Sequence, residues 1–272
     1  MSRLHDLFDH EGQSPWLDNI RRGWIMSGEL ERWVARGVRG LTSNPSIFQK
    51  AIQGSAEYDQ QFTEAIGSGL DVEASYWELV TSDISAALDI LRPVYDQSEG
   101  LDGYVSVEVD PGLARNSAGT EASARELDER LAAPNLYIKI PATAEGLAPI
   151  QHMISEKRSI NVTLIFSLER YAAVMEAYLA GLEAAPGDLS DISSVASFFI
   201  SRVDVEIDRR LDEIGTEEAH RNRWRAVEQD ARIDQLDGAP IAAFRITYIC
   251  DAFMIARAED DALLIYEKET ST

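Results

Sequence analysis

The chain has 272 residues, with 47 acidic against 25 basic side chains and a formal net charge of −22. That length holds one large domain or two small ones around a sizeable core, and an apolar share of 45% excludes wholesale disorder. The acidity argues against nucleic-acid binding and against docking on anionic membranes, because no basic surplus is present to neutralise phosphates.

Trp16–Ile20 reads as a short first strand and Gly37–Thr42 as a second. An amphipathic stretch, Ala74–Leu91, leads to a strand at Tyr104–Val109. A helical pattern at Glu121–Leu131 follows, and then strands at Leu136–Ile140 and Ile160–Phe166. Beyond these come a helix at Leu168–Leu182, a strand at Ser194–Ile200 and a helix at Asp204–Ile214. The helical stretches carry apolar residues at three- and four-residue intervals. Phe244–Cys250 and Ala262–Tyr266 are candidate strands around a short candidate helix, Asp251–Glu259. Strands alternating with helices point to parallel βαβ units. A (β/α)8 TIM barrel takes about 250 residues, so one α/β barrel domain over 1–272 fits better than two independent domains. The rival, a doubly wound open sheet, loses ground because no Gly-rich phosphate turn follows an early strand.

Strand side chains alternate between faces. Val105, Val107 and Val109 share one face of their strand, and Ser106, Glu108 and Asp110 share the other. In a barrel the valines would meet the helices and Glu108 would point inward. Asn161 and Thr163 share the polar face of the next-but-one strand, Asp18 and Asn44 end the first two, and Ser197 lies in the sixth with Arg202 just after it. Almost every strand thus brings one polar group near its C-terminal end, where barrel active sites are assembled. Lys139 is the most informative residue. The chain has only four lysines, Lys50, Lys139, Lys157 and Lys268, and Lys139 alone sits between isoleucines. An ammonium there would be desolvated, which favours the neutral amine that attacks a carbonyl. The alternative is a buried lysine paired with an inward carboxylate for stability alone. The tryptophans (Trp16, Trp24, Trp33, Trp77 and Trp224) read as packing residues. Arg209–Arg210 and the cluster Arg221, Arg223, Arg225 read as solvated helix faces.

One cysteine, Cys250, rules out an intramolecular disulfide and a multi-cysteine metal cluster. His5, His10, His152 and His220 show no paired ligand spacing. No apolar run reaches the roughly 18 to 20 residues of a membrane span. The acidic start, with Asp6, Asp9 and Glu11, lacks the apolar core of a signal peptide. A cytoplasmic protein is therefore expected.

Six ordered motifs, GQSPWLD (Gly12–Asp18), GLTSNPSIF (Gly40–Phe48), VSVEVDP (Val105–Pro111), YIKIPAT (Tyr137–Thr143), INVTLIFSLERY (Ile160–Tyr171) and SVASFFISRVD (Ser194–Asp204), resemble the transaldolase family, in its longer bacterial and plant-like branch. The resemblance implies a (β/α)8 barrel. It also implies transfer of a dihydroxyacetone unit from sedoheptulose 7-phosphate or fructose 6-phosphate to an aldose phosphate, in the non-oxidative pentose phosphate pathway. Carried over by motif, Lys139 would form the Schiff base and Asp18 would be the base for carbon–carbon cleavage. Glu108, with a water held by Thr163, would shuttle protons. Asn44 and Ser197 would bind the dihydroxyacetone moiety, with Thr42 and Phe199 in the same substrate-binding set, and Arg202 would receive the phosphate. No metal or organic cofactor is implied, and the partners are sugar phosphates, with monomer and homodimer both open.

The resemblance stops at about Ile214, so 1–214 reads as family-like and 215–272 as a divergent tail in which the last two βα units are divergent or incomplete. Arg245 is the candidate for a second phosphate ligand there. Three readings follow: an active transaldolase, a transaldolase-like protein without transfer activity, and a fructose 6-phosphate aldolase-type enzyme that releases dihydroxyacetone to water.

Overall fold

The short apolar runs become the strands of one sheet. In the computed structural model, which describes residues 2–216 and 243–244, these are β1 (Pro15–Leu17), β2 (Gly40–Thr42), β3 (Val105–Glu108), β4 (Leu136–Pro141), β5 (Ile160–Ile165) and β6 (Ser194–Phe198). Each runs parallel to its predecessor and pairs with it, so sheet order follows chain order. Helix α1 (Arg3–Glu11) precedes β1, and α2 (Arg22–Met26) and α3 (Glu29–Ala35) link β1 to β2. The next connection holds α4 (Pro45–Gln53), α5 (Asp59–Gly67) and α6 (Val72–Gln97). Single helices follow each later strand: α7 (Ser117–Leu131), α8 (Leu147–Ser155), α9 (Leu168–Ala184) and α10 (Ile200–Ile214). Several helices begin where a short polar side chain can accept a first-turn N–H. Asn44 caps α4 at 2.9 Å, Asp71 caps α6 at 2.8 Å and Ser167 caps α9 at 3.1 Å.

The alternation expected of the strands is present. Val105, Val107, Ile138, Ile140, Ile160 and Val162 are buried in the core between sheet and helices. The opposite face carries a second, smaller cluster of Trp16, Tyr104, Tyr137 and Val195. Its geometry shows that the sheet curls. Trp16 lies on β1 and Tyr137 on β4, three strand spacings apart, which is about 14 Å in a flat sheet. Their ring centroids are nevertheless 6.1 Å apart, and Tyr137 stacks on Tyr104 at 4.0 Å. The rings therefore meet inside an arc, and the described strands form the first six units of a (β/α)8 barrel.

At the N-terminal end of that arc, Asp102 gathers the segments leading into three strands. It accepts from Ser14 Oγ at 2.8 Å, from Arg39 Nε at 2.6 Å and from the Gly103 backbone N–H at 3.1 Å. Ser14 in turn accepts from Trp16 Nε1 at 3.1 Å. Tying the entry points of β1, β2 and β3 together in this way holds the arc closed on its aromatic filling.

Some sequence expectations are corrected in extent. The first strand is Pro15–Leu17, so Asp18 follows it, and β2 covers only the last three residues of Gly37–Thr42. Helix α6 runs on to Gln97, past Pro93, and α10 starts at Ile200, so Arg202 lies in its first turn. Asp110 has left the inward face of its strand, because its carboxylate turns back to accept the Gly112 N–H. Of Phe244–Cys250 only Phe244 is described. With Ala243 it forms β7 (Ala243–Phe244), antiparallel to β1, where it meets the edge backbone groups of that strand. The candidate elements Asp251–Glu259 and Ala262–Tyr266, together with Arg245, Trp224 and the Arg221–Arg225 cluster, lie outside the described residues. Trp16 and Trp33 are buried, Trp24 and Trp77 pack half-buried on the core, and Arg209 and Arg210 are exposed and paired with Glu206 at 2.8 Å. No helix among the described residues is long and apolar enough to cross a membrane.

Gly40 is the position where the arc tolerates no side chain. A Cβ there would stand 2.2 to 2.6 Å from atoms of the Trp16 indole. Gly40→Ala is expected to destabilise the fold by about 1–3 kcal/mol through overpacking, read as a lower urea midpoint at unchanged m-value. Gly67→Ala, where nothing lies within 4 Å of the added carbon, should shift the midpoint the other way, by up to about 1 kcal/mol of helix propensity.

Candidate active site

Register carries the polar residues of neighbouring strands to one place. Glu108 pairs with Lys139 across β3 and β4, and Lys139 pairs with Asn161 across β4 and β5. Lys139 is 3% exposed. Its Nζ lies 3.4 Å from Glu108 Oε2 and donates to the Ser43 carbonyl at 3.3 Å. That carbonyl is itself held in place: Ser43 Oγ donates to the Ser106 carbonyl at 2.8 Å, as does the Ser43 N–H at 3.2 Å. A fully desolvated ammonium costs several kcal/mol unless it is paired and hydrogen-bonded, and here it is both.

Two carboxyls stand near this ammonium. Burial pushes the Glu108 carboxyl above the usual glutamate range, while Lys139 and then Arg202 pull it back. Burial likewise pushes Asp18 up against the pull of Lys139 and Arg202. Desolvation prevails in both, which gives the site two carboxyls able to exchange protons closer to neutrality than an exposed one. Asn44 spends its Oδ1 on the Ile47 N–H at the start of α4, which leaves its amide nitrogen as the group available to a ligand. The hydroxyls of Thr42 and Thr163 are buried and have no hydrogen-bond partner among the described residues.

The sixth strand closes the site on its other side. Phe199 stacks on Phe166 at 5.9 Å and lies 5.9 Å from Lys139 Nζ. Arg202 extends over the Phe199 ring at 4.1 Å from its centroid. Ser197 Oγ donates to Asn161 Oδ1 at 2.7 Å. Beside these groups opens a cavity of about 770 Å³ whose walls include Asp18, Asn44, Arg202, Arg21, Trp24 and Lys50. A buried amine, two carboxyls and a guanidinium at the wall of one cavity form a set of groups suited to a carbonyl compound bearing an anionic group.

Residues 15–236 match the family described as transaldolase/fructose-6-phosphate aldolase. The chain belongs to that family. Its match runs past Ile214, so the family likeness extends into the part that the motifs alone left as a divergent tail. The chain is 50% identical over 237 residues to transaldolase 2 of Streptomyces coelicolor, covering 86% of this chain and 63% of that protein. It is 50% identical over 236 residues to a transaldolase of Thermobifida fusca, covering 85% and 64%. A transaldolase of Mycolicibacterium paratuberculosis is 49% identical over 226 residues, covering 82% and 61%. The chain thus spans less than two thirds of the length of these relatives.

Every residue singled out from the family's motifs falls in or beside this site: Lys139, Glu108, Thr163 and Thr42 inside the arc, Asp18, Asn44 and Arg202 on the cavity wall, Ser197 and Phe199 on the β6 side. The sequence reading left Ser43, Ser106 and Asn161 without a place in the site. Ser106 and Asn161 sit two residues before Glu108 and Thr163, so the two-residue period that placed the latter also places the former one layer deeper. Leu164 gave no such signal. It adopts a left-handed φ of 61° at the irregularity where β5 slips against β6, directly after Thr163. A bulge of this kind re-aims the neighbouring side chains at a modest cost in strain.

The raised carboxyls have a consequence for stability. At mildly acidic pH the folded state holds protons on Asp18 and Glu108 that the unfolded chain has already lost. Stability from this source is therefore lost as pH rises from the ordinary carboxylate range through the raised values. Asp18→Asn removes one such group, so its stability relative to the parent should improve between pH 4 and pH 7, as measured by urea denaturation at both. A relative stability that falls over that interval would contradict the raised value.

Proposed function

We propose that the protein is a Schiff-base transaldolase acting on sugar phosphates. The observation that carries this reading is the Lys139 amine, 3% exposed and 3.4 Å from Glu108, next to a cavity with a guanidinium on its wall. The neutral amine would attack the ketose carbonyl, and Glu108, with a water on the Thr163 hydroxyl, would pass the protons that turn the carbinolamine into an imine and water. Asp18 would take the proton of the hydroxyl two carbons along, the carbon–carbon bond would break, and its electron pair would pass into the protonated imine as an enamine. The released aldose phosphate leaves, and the enamine adds to the carbonyl of an acceptor. Hydrolysis of the new imine returns the free amine.

The remaining side chains would hold the substrate. Asn44, through its free amide N–H groups, and Ser197 would bind the dihydroxyacetone portion, between Thr42 and the Phe199 ring, and Arg202 would meet the phosphate. All of the chemistry is assigned to side chains, with the imine as electron sink.

Borohydride reduction in the presence of fructose 6-phosphate, followed by intact mass and peptide mapping, tests the reading. A dihydroxyacetone adduct on Lys139 is expected, and none in Lys139→Ala. Absence of the adduct in a folded parent would leave a family member without transfer activity. Asp18→Asn should still form the initial imine but lose about 10²–10⁴-fold in kcat, the usual worth of a general base. Turnover that depends on an added aldose phosphate marks a transferase, whereas steady release of dihydroxyacetone without acceptor marks the aldolase-type reaction.

A further inference from the structure

The carboxylate to which carbon–carbon cleavage is assigned has little to hold it directly. Asp18 stands one residue past the end of β1. No hydrogen bond from the described residues reaches its carboxylate, on which Lys139 and Arg202 act through their charges. Its place therefore depends on the backbone that carries it. Upstream, that backbone is fixed by the pairing of β1 with β2. Downstream, Ile20 is buried in the core, and at Arg22, where α2 begins, the segment enters a clamp.

The clamp is built from two other parts of the chain: Tyr58, in the single turn Ala56–Tyr58 between α4 and α5, and Asp83, on α6. Arg22 Nε donates to Asp83 Oδ1 at 2.8 Å, and the Tyr58 hydroxyl donates to Asp83 Oδ2 at 2.8 Å. The same hydroxyl accepts the Arg22 backbone N–H at 3.2 Å, and the guanidinium lies over the Tyr58 ring, 4.2 Å from its centroid. Tyr58 and Asp83 are 2% and 3% exposed. Both oxygens of the buried carboxylate are thus satisfied, and Arg22 is held by side chain and backbone alike. Loosening such a pair would leave a buried charge uncompensated, which is costly, so the clamp is a rigid point. Arg22 and Tyr58 also line the large cavity that has Asp18 on its wall, which places the clamp beside the site.

We propose that Arg22, Tyr58 and Asp83 are positioning residues for Asp18: they fix the turn between β1 and α2 so that its carboxylate meets the proton it takes in the cleavage step, and they have no part in forming the imine. The inference rests on the Schiff-base reading above. The separation of the two steps follows from the fold. Lys139 and Glu108 face each other across β3 and β4, and the amine donates to the Ser43 carbonyl. None of these contacts passes through the turn that carries Asp18.

Borohydride trapping with fructose 6-phosphate reads the two steps separately. Reduction before cleavage leaves the whole ketose phosphate on Lys139, and reduction after it leaves the dihydroxyacetone unit. The two adducts differ in mass by the aldose phosphate that cleavage releases. Tyr58→Phe keeps the ring beneath the guanidinium and removes the hydroxyl from both of its bonds. It should shift the ratio toward the uncleaved adduct by about 10- to 100-fold, since misplacing a reacting group by about 1 Å costs up to that much, with total adduct little changed. In an Asp18→Asn background it should cause no further shift, because it acts only through Asp18. Arg22→Lys, which keeps a charge opposite Asp83 but loses the planar donors, should shift the ratio the same way, and it decides the matter if Tyr58→Phe does not fold. A ratio unchanged from the parent, or both adducts lowered equally as a merely structural role would do, overturns the proposal and leaves the Schiff-base reading standing. No adduct of either mass in a folded parent overturns both.

Discussion

Everything in the site depends on keeping one ammonium out of water without leaving it unpaired. A buried charge survives only with a counter-charge and hydrogen bonds close by, and the fold supplies Lys139 with a carboxylate from the adjoining strand and a carbonyl from the end of β2. That carbonyl could not serve if the turn into α4 were loose. Ser43 ties it to β3, and Asn44 caps the helix that follows, so a pair of short polar side chains serves the turn, the helix and the amine together.

The interior is layered to match. Its lower part is aromatic, with Trp16, Tyr104 and Tyr137 stacked across the arc, and its upper part is polar. Gly40 belongs to the lower layer because the Trp16 indole already fills the space its side chain would need. Ser197 donates to Asn161 and Asn161 to Ser106, which satisfies groups that would otherwise be buried unpaired. The hydroxyls of Thr42 and Thr163 are the exceptions among the described residues of the arc, Thr163 on the strand beside the lysine-bearing β4 and Thr42 two strands away on β2. Polar atoms left unmatched by protein next to an amine and a cavity are what a site for a small polar substrate requires.

Much of this was legible in the sequence because a strand has a two-residue period. The alternation of valines with Ser106 and Glu108, and of isoleucines with Lys139, was enough to set inward against outward faces, and the C-terminal ends of the strands then collected the polar groups. Asp110 escaped that rule because an Asp-Pro-Gly sequence turns as readily as it extends, and its carboxylate found a backbone N–H two residues on. Leu164 escaped it because a left-handed bulge is imposed by the pairing of β5 with β6 and not by leucine itself. Ser43 could not be recognised because it contributes a backbone carbonyl, and every residue has one. Distances between strands were the missing quantity, and no periodicity contains them.

The order of the strands has a temporal side. Each parallel strand from β2 to β6 pairs with the one before it in the chain. Glu108 and Ser43, which receive the ammonium, therefore both precede Lys139 along the polypeptide, whereas Asn161 and Ser197 come after it. During synthesis, which proceeds from the N-terminus, the partners of the buried charge leave the ribosome first. β4 can dock with its lysine already matched, and the chain need not carry an uncompensated charge into a half-built interior while β5 and β6 are still to come.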